Sequence, residues 1–259
     1  MKVILTNKNH LFSVDFSQPI DLSIPLSNTD KNPIAWYLDK PEIEPVSFDN
    51  WIGKVSEGAS TNFNNIRFNP HAHGTHTECL GHITHNFYSI NQQLQKFMFW
   101  AKIITVQPTP CNDDFVIYKH QLEPFFTDDL AIESLIIRTL PNHLSKKEQK
   151  YSHANPPYLD EAAAHYLREQ NIEHLVVDLP SIDREQDEGK LAAHKAFWNV
   201  TDIKNLNKNA RLQATITEFV FVDEAVLDGL YLLNLQIAPF ENDATPSKPI
   251  VYKLESHNL

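Results

Sequence analysis

Apolar and polar positions alternate over Phe12 to Phe16 and again over Ile20 to Leu26, on either side of a break at Gln18-Pro19. A period of two marks a strand with one buried face, and the proline marks the turn between them. Phe99 to Val106 and Leu135 to Arg138 are largely apolar runs of strand length. Leu159, Ala162, Ala163, Tyr166 and Leu167 instead recur at helical spacing, which predicts a helix over Tyr158–Asn171 with one apolar stripe. Pro156-Pro157 precede it, Asp160 and Glu161 suit the positive end of its dipole, and Asn171 closes it. Leu175 to Val177 follows as a buried strand. Ala214 to Val222 is another, with Leu230 to Ile237 its expected neighbour after a turn at Asp228-Gly229. Sixteen prolines against six glycines favour stiff, ordered connections. One of them, Asn32 to Val46, is a Pro-rich loop that carries Trp36 and Tyr37. There is no repeat and no internal linker. The pattern predicts a strand-rich α/β fold with few helices, a single domain over residues 1–259.

Charge narrows the partners. The formal net charge is -11 and no basic tract occurs, so phosphate backbones and anionic lipid are repelled. Nucleic acid and membrane are therefore not expected as partners. No run is long enough to cross a bilayer, and Val3-Ile4-Leu5 is too short for a signal-peptide core. Two cysteines, Cys79 and Cys111, make no disulfide framework, which suits a reducing compartment. A cytoplasmic location is the expectation.

The chemistry is concentrated between Asn69 and His85. Five of the thirteen histidines lie in the fifteen positions from His71 to His85. Neutral imidazole and carboxylate are the ligands that zinc, manganese and iron take most readily. His76 and Glu78 are two apart, so an extended chain projects both to one face. Gly81 permits a turn that brings His82 back toward the same ion. Cys79 falls on the opposite strand face. An exposed histidine cluster or a structural zinc site is the plainer reading of the same residues. Glu218 lies in Ala-Thr-Ile-Thr-Glu-Phe-Val-Phe-Val, a strand apolar on both faces, where a carboxylate must be paired or must bind a metal. Its plain alternative is an ion pair with Arg138 or Arg211. His194, on a helical pattern with Leu191 and Trp198, reads by itself as a hydrogen-bonded core histidine.

Three stretches together resemble the cyclase family of metal-dependent hydrolases, which includes bacterial kynurenine formamidase and isatin hydrolase. They are Asp21-Leu-Ser-Ile-Pro-Leu26, Gly74-Thr-His-Thr-Glu78 with His82, and Asp178-Leu-Pro-Ser-Ile-Asp183. Glu218 in Ile-Thr-Glu fits the same pattern. The resemblance runs from about residue 19 to the C-terminal strands. It implies one α/β domain of the swivelling β/β/α type, a homodimer or larger homo-oligomer, and one or two divalent ions, zinc or manganese. His76, Glu78 and His82 match the second histidine, the carboxylate and the last histidine of the family motif His-x-Gly-Thr-His-x-Asp-x-Pro-x-His. His194 and Glu218 resemble the late pair that completes a two-metal site, and the His82 position is also the family's general base. Glu78 departs from the motif's Asp and Leu80 from its Pro, a change expected at the pocket rim. Ala72 occupies the first histidine's register, so His71 or His73 must serve there; His71, reached through a β-bulge absorbed at Gly74, is the expected ligand.

The activity so implied is hydrolysis of a small amide, lactam, lactone or ester by metal-activated water, as in arylformamidase, with His82 as the catalytic base. Trp36 is placed either to stack on a planar substrate or to pack at the surface. The competing class is a non-catalytic metal or small-molecule binding protein that keeps the fold.

Overall fold

The computed structural model describes residues 1–127 and 130–256. The chain opens with a hairpin, β1 (Lys2–Asn7) and β2 (His10–Asp15), followed by β3 (Ile20–Asp21). The alternation over Ile20 to Leu26 thus yields only two strand residues. Beyond Asp21 the backbone is taken by other partners: Leu22 N–H donates to Pro249 O and Ile24 N–H to Thr75 Oγ1. An excursion then carries two ribbons that pair only with themselves. In one, β4 (Glu42–Pro45) meets β7 (Asn64–Arg67); in the other, β5 (Ser47–Phe48) meets β6 (Trp51–Ile52). Glu42–Pro45 of the predicted Asn32–Val46 loop are therefore strand.

Next come β8 (His76–Glu78), α1 (Ile90–Gln93), β9 (Met98–Val106), β10 (Thr109–Cys111), β11 (Asp114–Ile117), α2 (Lys119–Leu122), β12 (Ser134–Thr139) and β13 (Tyr158–Leu159). The chain finishes with α3 (Glu161–Glu169), β14 (His174–Val177), α4 (Ala192–Trp198), β15 (Thr215–Glu218), β16 (Gly229–Ile237) and β17 (Ala244–Ser256). The strands β17, β16, β9, β12, β14, β15 and β8 pair in that order, and β8 pairs back onto β17, closing a seven-stranded barrel. Within it β9, β12, β14 and β15 are parallel, and the other pairings are antiparallel. This is the strand-rich α/β architecture of the swivelling β/β/α type.

The expectation that Leu230–Ile237 would lie beside Ala214–Val222 is corrected here: β16 sits between β9 and β17, while β15 sits between β14 and β8. Strand β15 also stops at Glu218, because Phe219 takes a left-handed φ of 55° and its N–H turns to Leu179 O.

Both faces of the parallel strands are covered, which is why they read as unbroken apolar runs. Ile136 and Val176 face the barrel interior with Phe99, Ile103, Leu233 and Val251. Leu135, Ile137, Leu175 and Val177 face outward onto Ala163, Ala164, Leu167, Phe197 and Trp198 of α3 and α4. Burying side chains of this size stabilises the fold by about 1.5–3 kcal/mol each. The predicted helix starts later than Tyr158, since Leu159 pairs with Ile117 in β13. Its N-cap is Asp160, whose carboxylate accepts from Ala163 N–H at 2.8 Å. The apolar stripe is rotated accordingly: Ala162 is exposed and Ala164 is buried.

Candidate metal centre

The centre is built outside the barrel, between the β8–β15 pair and α4. The antiparallel register sets Glu218 opposite His76 and Ile216 opposite Glu78, with Thr77 and Thr217 bonded Oγ1 to Oγ1 at 2.7 Å on the other face. Directly opposed side chains on one face stand about 5 Å apart at Cβ, so the register alone delivers His76 to Glu218. His76 Nε2 lies 3.3 Å from Glu218 Oε2. His194 descends from α4, its Nε2 3.1 Å from Glu78 Oε1 and 3.9 Å from Glu218 Oε1. His71 Nδ1 lies 3.0 Å from Glu78 Oε2, and His82, stacked on His71 at 4.1 Å, has Nε2 4.0 Å from the same oxygen. Among the described residues three groupings are close enough to hold an ion: His71, His76 and Glu78; Glu78, His82 and His194; His71, His82 and Asp243.

Three of the four rings have one nitrogen tied to an outer acceptor. His76 Nδ1 bonds to Gly74 O at 3.0 Å, His194 Nδ1 to Asp183 Oδ2 at 2.5 Å, and His71 Nε2 to Asp243 Oδ2 at 2.8 Å. With a proton kept on the outer nitrogen, loss of the inner proton would free a lone pair beside Glu78 and Glu218, the arrangement that metal-binding imidazoles need. His76 Nε2 and Glu78 Oε2 are buried with no hydrogen-bond partner. Orphaned polar atoms cost about 1–3 kcal/mol each, and Lewis-acid contact removes that cost.

The electrostatics ask for positive charge. Burial disfavours a cation at His71, yet Asp243 and Glu78 outweigh it and push the imidazole up to about 10. Burial likewise opposes the charge on His194, but Asp183 and Glu78 raise it well above the ordinary range. Glu78, despite complete burial, is held well below the usual carboxylate range by His82, His194 and His71. Protons on imidazoles here do the work that a divalent cation does better.

Residues 20–184 match the sequence model of the Cyclase family. The chain belongs to the Cyclase family. Kynurenine formamidase of Bacillus cereus is 27% identical over 237 residues, covering 91% of this chain and 97% of that protein. The kynurenine formamidase of Bacillus thuringiensis subsp. konkukian is 26% identical over the same span. Among solved structures, an isatin hydrolase bound to the product analogue thioisatinate aligns with a TM-score of 0.64 at 16% identity, over 92% of this chain and 93% of its own. Isatin hydrolase A from Labrenzia aggregata gives 0.65 at 15% identity, over 92% and 94%. At such identities the structural likeness is one of fold.

In this Cyclase-family chain the first histidine of the motif region is displaced by a turn and not by a bulge: Ala72 N–H returns to Asn69 O, and His71 precedes β8 in a bend closed by Gly74 at φ 149°. His73 is turned away, with Asn69 N–H donating to its Nδ1 and its Nε2 on Asp39 O. Leu80 is no rim residue. It is fully buried in the core beneath α3 and α4, so the Pro-to-Leu departure alters packing under the site. The arginines offered as partners for Glu218 are engaged elsewhere, Arg138 with Thr105, Asp223, Val226 and Asp228, Arg211 with Ile172 and Phe197. Glu218 Oε1 accepts from Ile182 N–H at 3.0 Å instead.

A cavity of about 370 Å³ opens beside the cluster, lined by Trp36, Asn69, His71, His82, Arg184 and Leu191 among others. Trp36 holds a left-handed φ of 59° and its indole N–H donates to His71 O at 3.0 Å. Two acidic residues have no place in the ligand set read from the sequence. Asp183 lay inside the Asp178–Asp183 stretch; its carboxylate accepts from Ala193 and His194 N–H and so also anchors α4. Asp243 sits in a loop without a motif.

Proposed function

We propose that the protein is a metal-dependent hydrolase of small amides, lactams, lactones or esters, with an N-formyl aryl amide of the arylformamidase type as the first substrate to test. The observation that carries this reading is the set of imidazoles pinned outward and turned inward onto two buried carboxylates, beside an open cavity. His71, His76, Glu78, His82, His194 and Glu218 would hold one or two divalent ions, zinc or manganese. Such an ion supplies Lewis acidity toward a carbonyl oxygen and makes nearby water more acidic.

The chain's own groups do the rest. His82 is the catalytic base: it lines the cavity, takes the proton from water and returns it to the leaving nitrogen or oxygen. Trp36 offers a flat apolar wall for a planar substrate, and holding a non-glycine residue at positive φ costs about 1–3 kcal/mol, a strain that functional positions commonly carry. The kynurenine formamidase relatives support an amide substrate and the isatin hydrolase fold admits a lactam. The same reading takes the protein as one cytoplasmic domain that forms homodimers or larger homo-oligomers and binds neither nucleic acid nor membrane. No helix of the described residues is long and apolar enough to cross a membrane. Phe48, Trp51, Phe63 and Ile66, exposed on the β4–β7 excursion, support self-association.

The test is a screen of N-formyl amides, lactams and lactones with zinc- or manganese-loaded protein. Turnover of at least one class, abolished by chelation, is expected. Tight metal binding with no turnover in any class favours the non-catalytic binding protein, for which the longer Glu78 in place of the motif's Asp is the supporting observation.

A further inference from the structure

Asp243 is placed by backbone contacts on both sides. Its carbonyl accepts from Cys79 N–H at 3.0 Å, and its neighbour Ala244 pairs with Glu78 across the β17–β8 ladder. The strand that presents Glu78 therefore also fixes Asp243. Its Oδ2 lies 2.8 Å from His71 Nε2 and 3.4 Å from His82 Nδ1, beneath the stacked pair of rings. The opposite nitrogens, His71 Nδ1 and His82 Nε2, face Glu78 Oε2 at 3.0 and 4.0 Å. A neutral imidazole has one N–H and one lone pair, so whatever fixes the first fixes the second.

We propose that Asp243 is a positioning residue: by accepting from His71 Nε2–H and His82 Nδ1–H it holds both rings in the tautomer whose lone pair faces Glu78. The inference rests on the metal-hydrolase reading of this site. It links the residue proposed as a ligand to the residue proposed as the base through one carboxylate, which neither the motif nor the spacing of the histidines contains. Asp183 and His194 repeat the arrangement on the other side of Glu78. His71, His82 and Asp243 could instead share an ion. The 2.8 Å separation is that of a hydrogen bond. The 3.4 Å between His82 and Asp243 is also near the about 3.3 Å that separates two ligands at about 2.0–2.1 Å from a tetrahedral zinc, so the zinc stoichiometry decides between the two.

The experiment titrates zinc into chelator-stripped wild type, Asp243→Asn and Asp243→Glu against a chromogenic chelator. Nitrogen NMR of the zinc-loaded proteins reads the tautomers of His71 and His82. Asn keeps the shape of the side chain, and Asp243→Ser serves with the same readouts should Asn disturb folding. Asp243→Asn is expected to weaken zinc binding roughly ten- to a hundredfold at unchanged stoichiometry and to populate a second tautomer. Asp243→Glu, which restores the carboxylate, is expected to recover most of the affinity. Affinity within twofold of wild type with single tautomers retained overturns the inference, and so does the loss of one zinc per chain, which makes Asp243 a ligand. A wild-type protein that takes up no zinc overturns the reading of the site itself, and the inference with it.

Discussion

His82 is the most exposed imidazole of the cluster, at 32% against 17% for His71, and its Nε2 is 4.0 Å from Glu78 while His71 and His194 approach within 3.0 and 3.1 Å. That looser placement suits a proton carrier better than a tightly held ligand. His82→Ala is expected to lower kcat by about a hundredfold or more with little change in KM, the usual cost of losing a general base. His82→Asn keeps a possible ligand atom without a base, so steady-state kinetics and metal content on that variant separate the two roles; full activity with full metal would remove His82 as base. Side by side, the residues differ in how readable they were. The i, i+2 spacing of His76 and Glu78 fixes a shared face in any strand, and Glu218 announced itself as a carboxylate among apolar neighbours. Spacing could not choose between His71 and His73, because a turn, unlike a strand, imposes no alternation. Asp243 could not be found at all: only the pairing of Ala244 with Glu78 brings it to the site.

At the scale of elements, periodicity located most strands and the helix α3, yet it misjudged partners and ends. β16 was expected beside β15 because the two are successive in sequence, but the barrel closes through β8 and β17 and separates them. The truncation of β15 at Glu218 follows from the positive φ of Phe219, which no apolar pattern encodes. Strand β14 carries a consequence for acid stability. His174 is buried there between the Phe99 ring, at 3.8 Å, and Thr215 Oγ1, at 2.9 Å. Burial, with Arg211 and Lys96 adding to it, lowers its pKa from the ordinary 6.5 to about 3. The folded state therefore refuses a proton that the unfolded chain accepts between those values. Stability from this group is complete above about pH 6.5 and is lost as pH falls toward 3, at up to about 1.4 kcal/mol per pH unit. Urea unfolding of chelator-stripped wild type and His174→Gln at pH 7 and pH 5 measures it. The drop between the two pH values should be smaller in the variant by about 2 kcal/mol. Equal drops would mean that His174 is not buried in its neutral form.

For the whole molecule, the acidic balance of the chain and the cation demand of its histidine cluster point the same way. A net charge of -11 repels polyanions, and the buried carboxylates Glu78 and Glu218 face imidazole nitrogens. The barrel supplies rigidity: β8 and β15 are paired on both sides, so the groups they carry are held before any ion arrives. Sequence revealed the class of fold and pointed to the histidine–carboxylate cluster because both rest on local patterns. Barrel closure, the outer acceptors and the cavity wall depend on contacts between distant segments, and these appeared only with the structure. The central claim is that the cluster around Glu78 holds a divalent ion. Elemental analysis of wild type and His76→Ala, both purified with zinc and manganese supplied and dialysed against metal-free buffer, tests it most directly. One or two ions per chain in wild type, mostly lost in His76→Ala, is the predicted result. No retained ion in wild type, or the same content in the folded variant, would contradict it.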